Sequence, residues 1–241
     1  MVLNFTQYLK YYDITYILEI RNPLASFLKW IVMEQRTTRK TILDTIAIFF
    51  IKKTANCFWE IADTWSYKND AITKLYNKTI GKEYRKEYEN CGISSHMNIL
   101  HIGCGSYPLT EMVLASCTMG RIVGIDKNSQ SVQRGQQVIK KNKLDDRIIL
   151  KHGDGLDFPV EEFDMVIVSS CSQPKIKILE HIFQKVKSQS TIIVREVDIA
   201  TKDIINCIDA YPVIELNQQI RHNPFPFFEP IGWTTFCLTK K

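Results

Sequence analysis

The chain has 241 residues, of which 45% are hydrophobic, 11% aromatic and 24% charged. This composition is typical of a globular protein with an ordinary core, and it excludes collagen-like, coiled-coil and wholly disordered architectures. The net charge of +5 results from 31 basic and 26 acidic residues. Such a small excess disfavours a dedicated nucleic-acid-binding protein, which carries a much stronger basic charge.

Neither the cysteines nor the N-terminus indicates an exported or membrane-spanning protein. The cysteine number is odd and no C-x-x-C pair occurs, so we expect free buried thiols in a reducing compartment and no metal site. No basic segment followed by an apolar run marks a signal peptide at the N-terminus. The most apolar run, 45–51, is far shorter than the ~20 residues that span a membrane. The sequence therefore predicts a cytoplasmic protein without membrane contact. The seven cysteines are Cys57, Cys91, Cys104, Cys117, Cys171, Cys207 and Cys237.

The first 95 residues have helical periodicity. A capping residue and a proline, Asn22-Pro23, predict a helix start, and apolar residues then recur at helical spacing through 42–50 and 58–65. This region holds more than half of the aromatic residues of the chain. We interpret them as packing between helices. The alternative is that the last helix, 73–90, presents a tyrosine to a cleft.

Near residue 96 the pattern changes to short apolar runs that alternate with helical segments. This alternation predicts an α/β fold, a doubly wound, mostly parallel seven-stranded sheet. The last two strands have no helix between them and are expected to form an antiparallel edge, joined by a Pro- and Phe-rich loop at 221–230. We therefore predict a helical N-terminal domain, 1–95, that covers the substrate, and an α/β domain, 96–241. The strands are expected at 97–102, 121–125, 147–151, 163–168, 191–195, 213–216 and 233–239, and the helices of this part at 109–115, 131–141, 176–186 and 201–210.

The first strand ends in a glycine-rich turn that is typical of nucleotide-binding sites. Gly103 and Gly105 allow a tight turn and a close approach of a ligand, and Asp126, at the end of the next strand, suits a ribose diol. A dinucleotide-binding loop has a third glycine, where this chain has Pro108, which lacks an N–H group. The pattern therefore favours a ligand with a ribose and an adenine but no phosphate, such as S-adenosylmethionine.

Polar residues follow the third and fourth strands as well. Asp154, between Gly153 and Gly155, is placed where an adenine amino group donates a hydrogen bond, and Ser169 and Ser170 end the fourth strand. Open α/β sheets bind ligands at this carboxyl edge. Asp126 and Asp154 are also able to cap the helices that follow them.

Residues 97–195 resemble the core of the class I S-adenosylmethionine-dependent methyltransferases, through the Gly-Cys-Gly loop, Gly-Ile-Asp126 and Gly-Asp154-Gly. Three details are more similar to nicotianamine synthases, which share that Rossmann-like fold: Pro108-Leu-Thr110, Gln173-Pro-Lys175 and Arg195. The resemblance implies S-adenosylmethionine as the cofactor. The residues it implies for cofactor binding are Ile102, Gly103, Cys104, Gly105, Thr110, Asp126, Lys127, Gly153, Asp154, Gly155, Ser169 and Ser170.

Nicotianamine synthases carry a catalytic glutamate and tyrosine in their helical part, which makes Tyr76, Glu83 and Tyr84 the candidates here, together with Arg195. We expect Arg195 to face a carboxylate or a phosphate, because its guanidinium suits planar anions. Methyltransferases usually have an acid where this chain has His101, which we interpret as a satisfied core histidine rather than a base. Lys175 is interpreted as a solvated residue at a helix start.

Three functions remain open from the sequence. The first is a methyltransferase, because that activity is the commonest on this core. The second is a nicotianamine synthase-like transferase that moves the 3-amino-3-carboxypropyl group and makes a metal chelator. The third is a binding module that kept the fold and lost the chemistry. The expected acceptor is a small molecule, a peptide or a protein, and nucleic acid is disfavoured.

Overall fold

The structure is a computed structural model that describes residues 42–224 and 232–241. The predicted helix start at Asn22-Pro23 and residues 225–230 of the predicted loop lie outside the described residues. The chain divides into two compact units, 1–53 and 54–241. In the described part of the first unit, the rings of Phe49 and Phe50 meet edge to face at 5.6 Å. The second unit contains the helix at 70–90 as well as the sheet, and the predicted domain boundary at residue 95 stays a prediction.

In chain order, the described residues form six α-helices, one 3₁₀ turn and seven strands. These elements are α1 (Ile42–Lys68), α2 (Asp70–Asn90), β1 (Ile99–Ile102), α3 (Leu109–Cys117), β2 (Ile122–Asp126), α4 (Ser129–Lys141), β3 (Ile148–His152), β4 (Met165–Val168), α5 (Lys175–Lys185), β5 (Thr191–Val197), a 3₁₀ turn (Asp198–Ala200), α6 (Thr201–Asp209), β6 (Ile214–His222) and β7 (Trp233–Lys240).

The seven strands form one sheet with the order β3-β2-β1-β4-β5-β7-β6. Strands β1 to β5 are parallel, and β7 runs antiparallel between β5 and β6. The predicted doubly wound sheet with an antiparallel edge is therefore confirmed. The strand order reverses at β1, whose neighbours are β2 and β4, and open α/β sheets bind ligands at such a switch point.

The two faces of the sheet bury separate hydrophobic cores, because successive side chains of a strand point to opposite faces. In β1, Ile99 belongs to the core beneath α2, α3 and α4, and Leu100 belongs to the core beneath α5 and α6. Every residue of β4 is buried, as expected for a central parallel strand. Ile80 and Tyr88 of α2 lie in the first core, which holds α2 close to the carboxyl edge of the sheet.

Strand β6 is longer than predicted. It was expected to end at 216, but it continues to His222, so Arg221 and His222 belong to a strand and not to the Pro- and Phe-rich loop. Their partners on β7 are Thr234 and Trp233. The pairing with β7 extends the strand through a polar segment that lacks the apolar alternation from which strands are predicted.

The expectation of free thiols is wrong for two cysteines. Cys91, at the C-terminus of α2, is bonded to Cys237 of β7, and their Cα atoms are 5.6 Å apart. The two positions are separated by 146 residues, so sequence spacing gave no sign of the pair. The other five cysteines are free. None of the described helices combines the length and apolar character of a membrane span.

Candidate active site

A cleft of about 440 Å³ opens at the carboxyl ends of β1, β2, β3 and β4. This volume lies within the range of small-molecule sites. One wall is the loop after β1 together with the ends of β2 and β3, and the opposite wall is formed by side chains of α1, α2, β5 and β7. The cleft therefore lies at the switch point of the sheet.

The loop after β1 depends on its two glycines. Gly103 has φ = 93° and Gly105 has φ = 67°, in the left-handed region that other residues rarely adopt. A Cβ atom at residue 103 would lie 2.6 Å from Ser172 Oγ, and one at residue 105 would lie 3.1 Å from the carboxylate of Asp63. Both positions therefore require glycine, because of backbone conformation and because of space.

Asp126 ends β2 beside this loop and already fixes its shape. Its Oδ2 accepts a hydrogen bond from the N–H of Gly105 at 3.1 Å, and its Oδ1 accepts one from Asn128 N at 2.8 Å. Each carboxylate oxygen accepts more than one hydrogen bond, so both remain able to accept from a ribose hydroxyl. Asn128, rather than Asp126, caps α4 with its side chain.

At the end of β3, the carboxylate of Asp154 is half-buried and accepts a hydrogen bond from Leu156 N at 3.0 Å. This contact forms a tight turn and leaves the other carboxylate oxygen free for a ligand that donates a hydrogen bond. Gly155 is buried, and a Cβ atom there would lie 2.7 Å from a methyl carbon of Ile102. The turn therefore packs against the first strand.

Asp63 of α1 contacts the glycine loop and is a site residue that the sequence analysis missed. Its two carboxylate oxygens accept hydrogen bonds from the N–H groups of Ser106 and Tyr107 at 2.6 and 2.7 Å. Burial is the main reason why the pKa of Asp63 is raised to about 7. The nearby charge of Asp126 raises this pKa as well, whereas the hydrogen bonds from the two backbone N–H groups lower it. No sequence motif signals this contact, because Asp63 lies 40 residues before the loop on a separate helix.

Arg195, in the second half of β5, lies at the centre of a buried polar network. Its Nη2 and Nε atoms donate hydrogen bonds to the carboxylate of Glu87 at 2.7–3.1 Å, and its Nη1 donates one to Thr110 Oγ1 at 2.8 Å. Tyr88 and Thr235 complete the network through Arg195 Nη2 and Glu87 Oε2. The carboxylate that Arg195 faces is Glu87 of the chain itself, and a catalytic role of Arg195 stays a prediction.

The network fixes the charge states of its members. Burial alone would lower the pKa of Arg195, but Glu87 opposes this effect and keeps the pKa well above its ordinary value. The guanidinium stacks on the ring of Tyr84, 3.8 Å from the ring centroid. Burial raises the pKa of the Tyr84 hydroxyl, and it raises that of Tyr76 as well. Both tyrosines are therefore neutral phenols at neutral pH, which donate hydrogen bonds and do not act as bases.

Aromatic rings form the wall opposite the glycine loop. Trp59 of α1 packs against Tyr76 at 6.3 Å and against Trp233 at 5.8 Å, and Tyr84 packs against Trp233 at 5.9 Å. All four side chains line the cleft. The aromatic residues of the N-terminal region were interpreted either as packing between helices or as a wall of a cleft. Both interpretations hold for these residues, because the rings pack on one another and line the cleft.

Glu83 does not line the cleft. Its carboxylate accepts a hydrogen bond from Nδ1 of His222 at 2.9 Å, and the imidazole stacks on Trp233 at 4.7 Å. Burial lowers the pKa of His222, although Glu83 and Glu87 raise it. Glu87, one helical turn further along α2, is the acid that reaches Arg195. The two acids are one turn apart on the same helix, so the sequence did not show which one faces the sheet.

The strand position where methyltransferases usually have an acid contains a buried histidine with two partners. His101 Nδ1 lies 2.7 Å from Glu111 Oε1, and its Nε2 lies 2.7 Å from Ser169 Oγ. Glu111 is fully buried on α3. Space for this acid depends on Gly124 of β2, where a Cβ atom would lie 2.4 Å from Glu111 Oε1. Both ring nitrogens of His101 therefore have hydrogen-bond partners, as expected for a satisfied core histidine.

The interpretation of Lys175 as a solvated residue is wrong. The side chain is buried, and its Nζ donates hydrogen bonds to the carbonyl oxygens of Ser169 and Arg195. Lys175 therefore ties the end of β4 to the end of β5, and a pattern that only showed a helix start did not reveal this.

The structure brings most of the predicted site residues together. All twelve predicted cofactor-binding residues line the cleft, and so do three of the four predicted catalytic residues; their roles stay predictions. The cofactor-side residues are Ile102, Gly103, Cys104, Gly105, Thr110, Asp126, Lys127, Gly153, Asp154, Gly155, Ser169 and Ser170, and the others are Tyr76, Tyr84 and Arg195.

Comparison with known proteins gives matches in sequence and in structure. A family model described as a methyltransferase domain matches residues 93–223. A sterol 24-C-methyltransferase of Clavispora lusitaniae is 40% identical over 78 residues, which are 31% of this chain and 20% of that protein. A ribosomal protein L11 methyltransferase of Burkholderia thailandensis is 30% identical over 89 residues, 37% of this chain and 28% of that protein. The chain thus spans about a fifth to a quarter of the length of these relatives.

Among solved structures, a point mutant of MtNAS superposes with a TM-score of 0.65 at 15% identity, over 83% of this chain and 78% of that one. The same mutant bound to S-adenosylmethionine superposes with a TM-score of 0.63 at 16% identity, over 79% and 76%. A geranyl diphosphate C-methyltransferase of Streptomyces coelicolor gives 0.57 at 9% identity, over 68% and 80%. At these identities the structures share the fold alone.

The family model covers more than half of the chain, and the sheet order and the glycine loop agree with it. The chain belongs to the methyltransferase domain family, in the class I group of S-adenosylmethionine-dependent enzymes.

Proposed function

We propose that the protein transfers a group from S-adenosylmethionine, most simply its methyl group, to a small-molecule or protein acceptor. The observation that supports this most directly is the cleft at the switch point, where all twelve residues that the family resemblance implies lie together. The opposite wall of aromatic rings and Arg195 gives an acceptor a surface to bind, which a module that only binds the cofactor does not need.

The residues present fit this cofactor. Asp126 lies beside the glycine loop with lone pairs free for a ribose diol, and Asp154 lies at the next strand end with an oxygen free for an adenine amino group. The loop leaves no side chain at Gly103 and Gly105, where the backbone must approach a ligand. Pro108 begins α3 without a free N–H group, which agrees with a ligand that carries no pyrophosphate.

When bound, the cofactor supplies an activated sulfonium carbon, so the protein has to orient an acceptor and take up its proton. Arg195 and Glu87 form a rigid, charge-balanced floor beneath Tyr84. Tyr76 and Tyr84 are neutral phenols that donate hydrogen bonds to an acceptor. The aromatic wall of Trp59, Tyr76 and Trp233 excludes water from the reacting atoms.

A second candidate is transfer of the 3-amino-3-carboxypropyl group, as in nicotianamine synthases, to make a metal-chelating metabolite. The similarity to MtNAS favours it, because the superposition covers 83% of the chain, more than the 131 residues of the methyltransferase family model. The loop motif Pro108-Leu-Thr110 supports it as well. The two reactions differ only in which carbon of the sulfonium faces the acceptor.

Analysis of the cofactor product separates the two reactions. The purified protein is incubated with S-adenosylmethionine and size-fractionated cell extract, and the nucleoside product is identified by mass spectrometry. S-adenosylhomocysteine is expected for methyl transfer, and methylthioadenosine for aminocarboxypropyl transfer. Formation of neither product, together with no calorimetric binding of S-adenosylmethionine at micromolar concentration, contradicts both reactions and favours the binding module.

The matched variants are Asp126→Ala and Asp145→Ala. The first removes the carboxylate beside the glycine loop and is expected to abolish measurable cofactor binding. The second removes an exposed carboxylate in the turn before β3, which does not line the cleft, and is expected to bind as the wild type does. Equal affinity of both variants would contradict the assignment of the site.

A further inference from the structure

Behind the glycine loop, a carboxylate, an imidazole and a hydroxyl lie in line and end at the cleft. The distances from Glu111 Oε1 to His101 Nδ1 and from His101 Nε2 to Ser169 Oγ are both 2.7 Å. Glu111 and His101 are buried, and His101 and Ser169 line the cleft. These are the distances at which an acid orients a histidine that activates a serine hydroxyl.

The hydrogen positions follow from the acid. A carboxylate only accepts hydrogen bonds, so the imidazole tautomer that satisfies both contacts carries its proton on Nδ1 and accepts at Nε2. The hydroxyl of Ser169 then donates to Nε2 at 2.7 Å, a shorter contact than its 3.1 Å contact with the carbonyl oxygen of Gly103. This arrangement makes Ser169 Oγ more basic than an ordinary hydroxyl.

The fold makes room for this arrangement at a cost. Glu111 is fully buried, and among the described residues its Oε2 atom has no hydrogen-bond partner. An incompletely paired buried carboxylate is unfavourable. Gly124 in the interior of β2 also weakens a strand, yet any side chain there would collide with Glu111 Oε1. A purely apolar packing of the same volume would avoid both costs.

We propose that Ser169 passes the proton of the acceptor group to His101, which takes it up as the base of the transfer reaction, and that Glu111 positions His101. This role rests on the proposed function. As an acceptor X–H forms its bond to the transferred carbon, the electron pair of the broken S–C bond stays on sulfur. The proton of X–H moves to Ser169 Oγ, the hydroxyl's own proton moves to His101 Nε2, and Glu111 pairs with the resulting imidazolium. The imidazolium then loses its proton to water.

The first test needs neither cofactor nor acceptor. Methanesulfonyl fluoride sulfonylates activated serines: the serine oxygen bonds to sulfur, fluoride leaves and the hydroxyl proton moves to histidine. Ser170 and Ser172 lie on the same loop and line the same cleft, so they serve as internal controls for access. Peptide mapping by mass spectrometry is expected to show Ser169 modified at least about 100-fold faster than either of them. Equal rates, or no modification of Ser169, would overturn the proposal.

Variants separate activation from structure. His101→Gln is expected to abolish the modification of Ser169, and Glu111→Gln, which keeps the size of the side chain, to slow it by at least about tenfold. Ser172→Ala is the matched control, because its hydroxyl donates to the carbonyl oxygen of Ile102 and not to His101. Thermal unfolding is measured on every variant. An unchanged rate in a folded Glu111→Gln variant contradicts the role of the acid.

The second test measures the rate of turnover with the fraction of cell extract that yields a nucleoside product. Ser169→Ala is expected to lower kcat by about 100-fold, whereas a serine that only contacts the cofactor would change KM for S-adenosylmethionine and leave kcat nearly unchanged. Rapid sulfonylation of Ser169 in a protein that does not bind the cofactor would overturn the proposed function, but the activated serine would still stand. Turnover together with equal sulfonylation rates of the three serines would overturn the proton transfer through Ser169 and His101, but the proposed function would still stand.

Discussion

The two walls of the cleft are built in different ways. The glycine-loop side, 102–110 with the ends of β2 and β3, consists of short turns whose shape depends on glycines and on backbone N–H groups bound to strand-end acids, such as Asp126 with Asn128. The Arg195 side joins α2, β5 and β7 through contacts between residues more than 100 positions apart, such as Glu87 with Arg195. The first side depends on backbone conformation and the second on a buried charge pair. A substitution should therefore change local geometry on one side and global stability on the other.

The largest effect is expected from breaking the charge pair of the Arg195 side. Glu87→Ala leaves the guanidinium buried without its carboxylate, and it should reduce the free energy of unfolding by about 3–5 kcal/mol, measured by urea denaturation. The control is Glu215→Ala, which breaks an exposed pair with Lys241 and should cost less than about 1 kcal/mol. Similar losses in both variants would mean that Arg195 finds another partner or solvent.

The next effect concerns the covalent bond on the same side. Cys91 and Cys237 join α2 to β7, and replacing both by serine should lower the free energy of unfolding by about 2–4 kcal/mol, the typical range for a disulfide, because the bond restricts the unfolded chain. Thiol titration of the unreduced, denatured protein should find five free thiols. A count of seven would show that the two cysteines are not bonded.

In the interior of β2, behind the glycine loop, Gly124→Ala is expected to have a smaller and more local effect. The added Cβ would lie 2.4 Å from Glu111 Oε1 and 2.6 Å from Leu150 Cδ2, so the acid has to move. Overpacking of this kind costs about 1–3 kcal/mol, measured by urea denaturation. The matched control is Gly92→Ala. A Cβ atom at residue 92 meets no atom within 4 Å, so this variant has the backbone strain of φ = 73° but no overpacking. Of the two variants, only Gly124→Ala should also slow the sulfonylation of Ser169. If Gly124→Ala loses stability but Ser169 is sulfonylated at the wild-type rate, Gly124 does not support the arrangement of Glu111, His101 and Ser169.

The two sides also differ in how far the sequence predicts them. The strands, the mostly parallel sheet and the glycine loop follow from apolar runs, strand-end acids and two glycines, all of which are local signals. Glu87 was missed in favour of Glu83, because only packing of α2 on the sheet decides which of two acids one turn apart points inward. The Cys91–Cys237 bond was missed because its two cysteines are 146 positions apart. Lys175 was misjudged because a helix-start pattern does not show that its side chain turns inward to the carbonyl oxygens of Ser169 and Arg195.

Asp63 contacts the glycine loop, although it lies on α1, far from the loop in sequence. The titration of Asp63 therefore tests how closely α1 is coupled to the loop. Its pKa is raised to about 7 from an ordinary value of 3.8, mainly by burial. An acid with a raised pKa keeps its proton longer in the folded state, so its contribution to stability is full below pH 4 and is lost as the pH rises through 7. Asp63→Asn removes this titration. The free energy of unfolding of the variant should therefore increase relative to the wild type by about 1 kcal/mol or more between pH 5 and pH 7. A difference that does not change with pH would show that the carboxyl of Asp63 titrates in the folded protein as it does in the unfolded chain, and that α1 does not bury it against the loop.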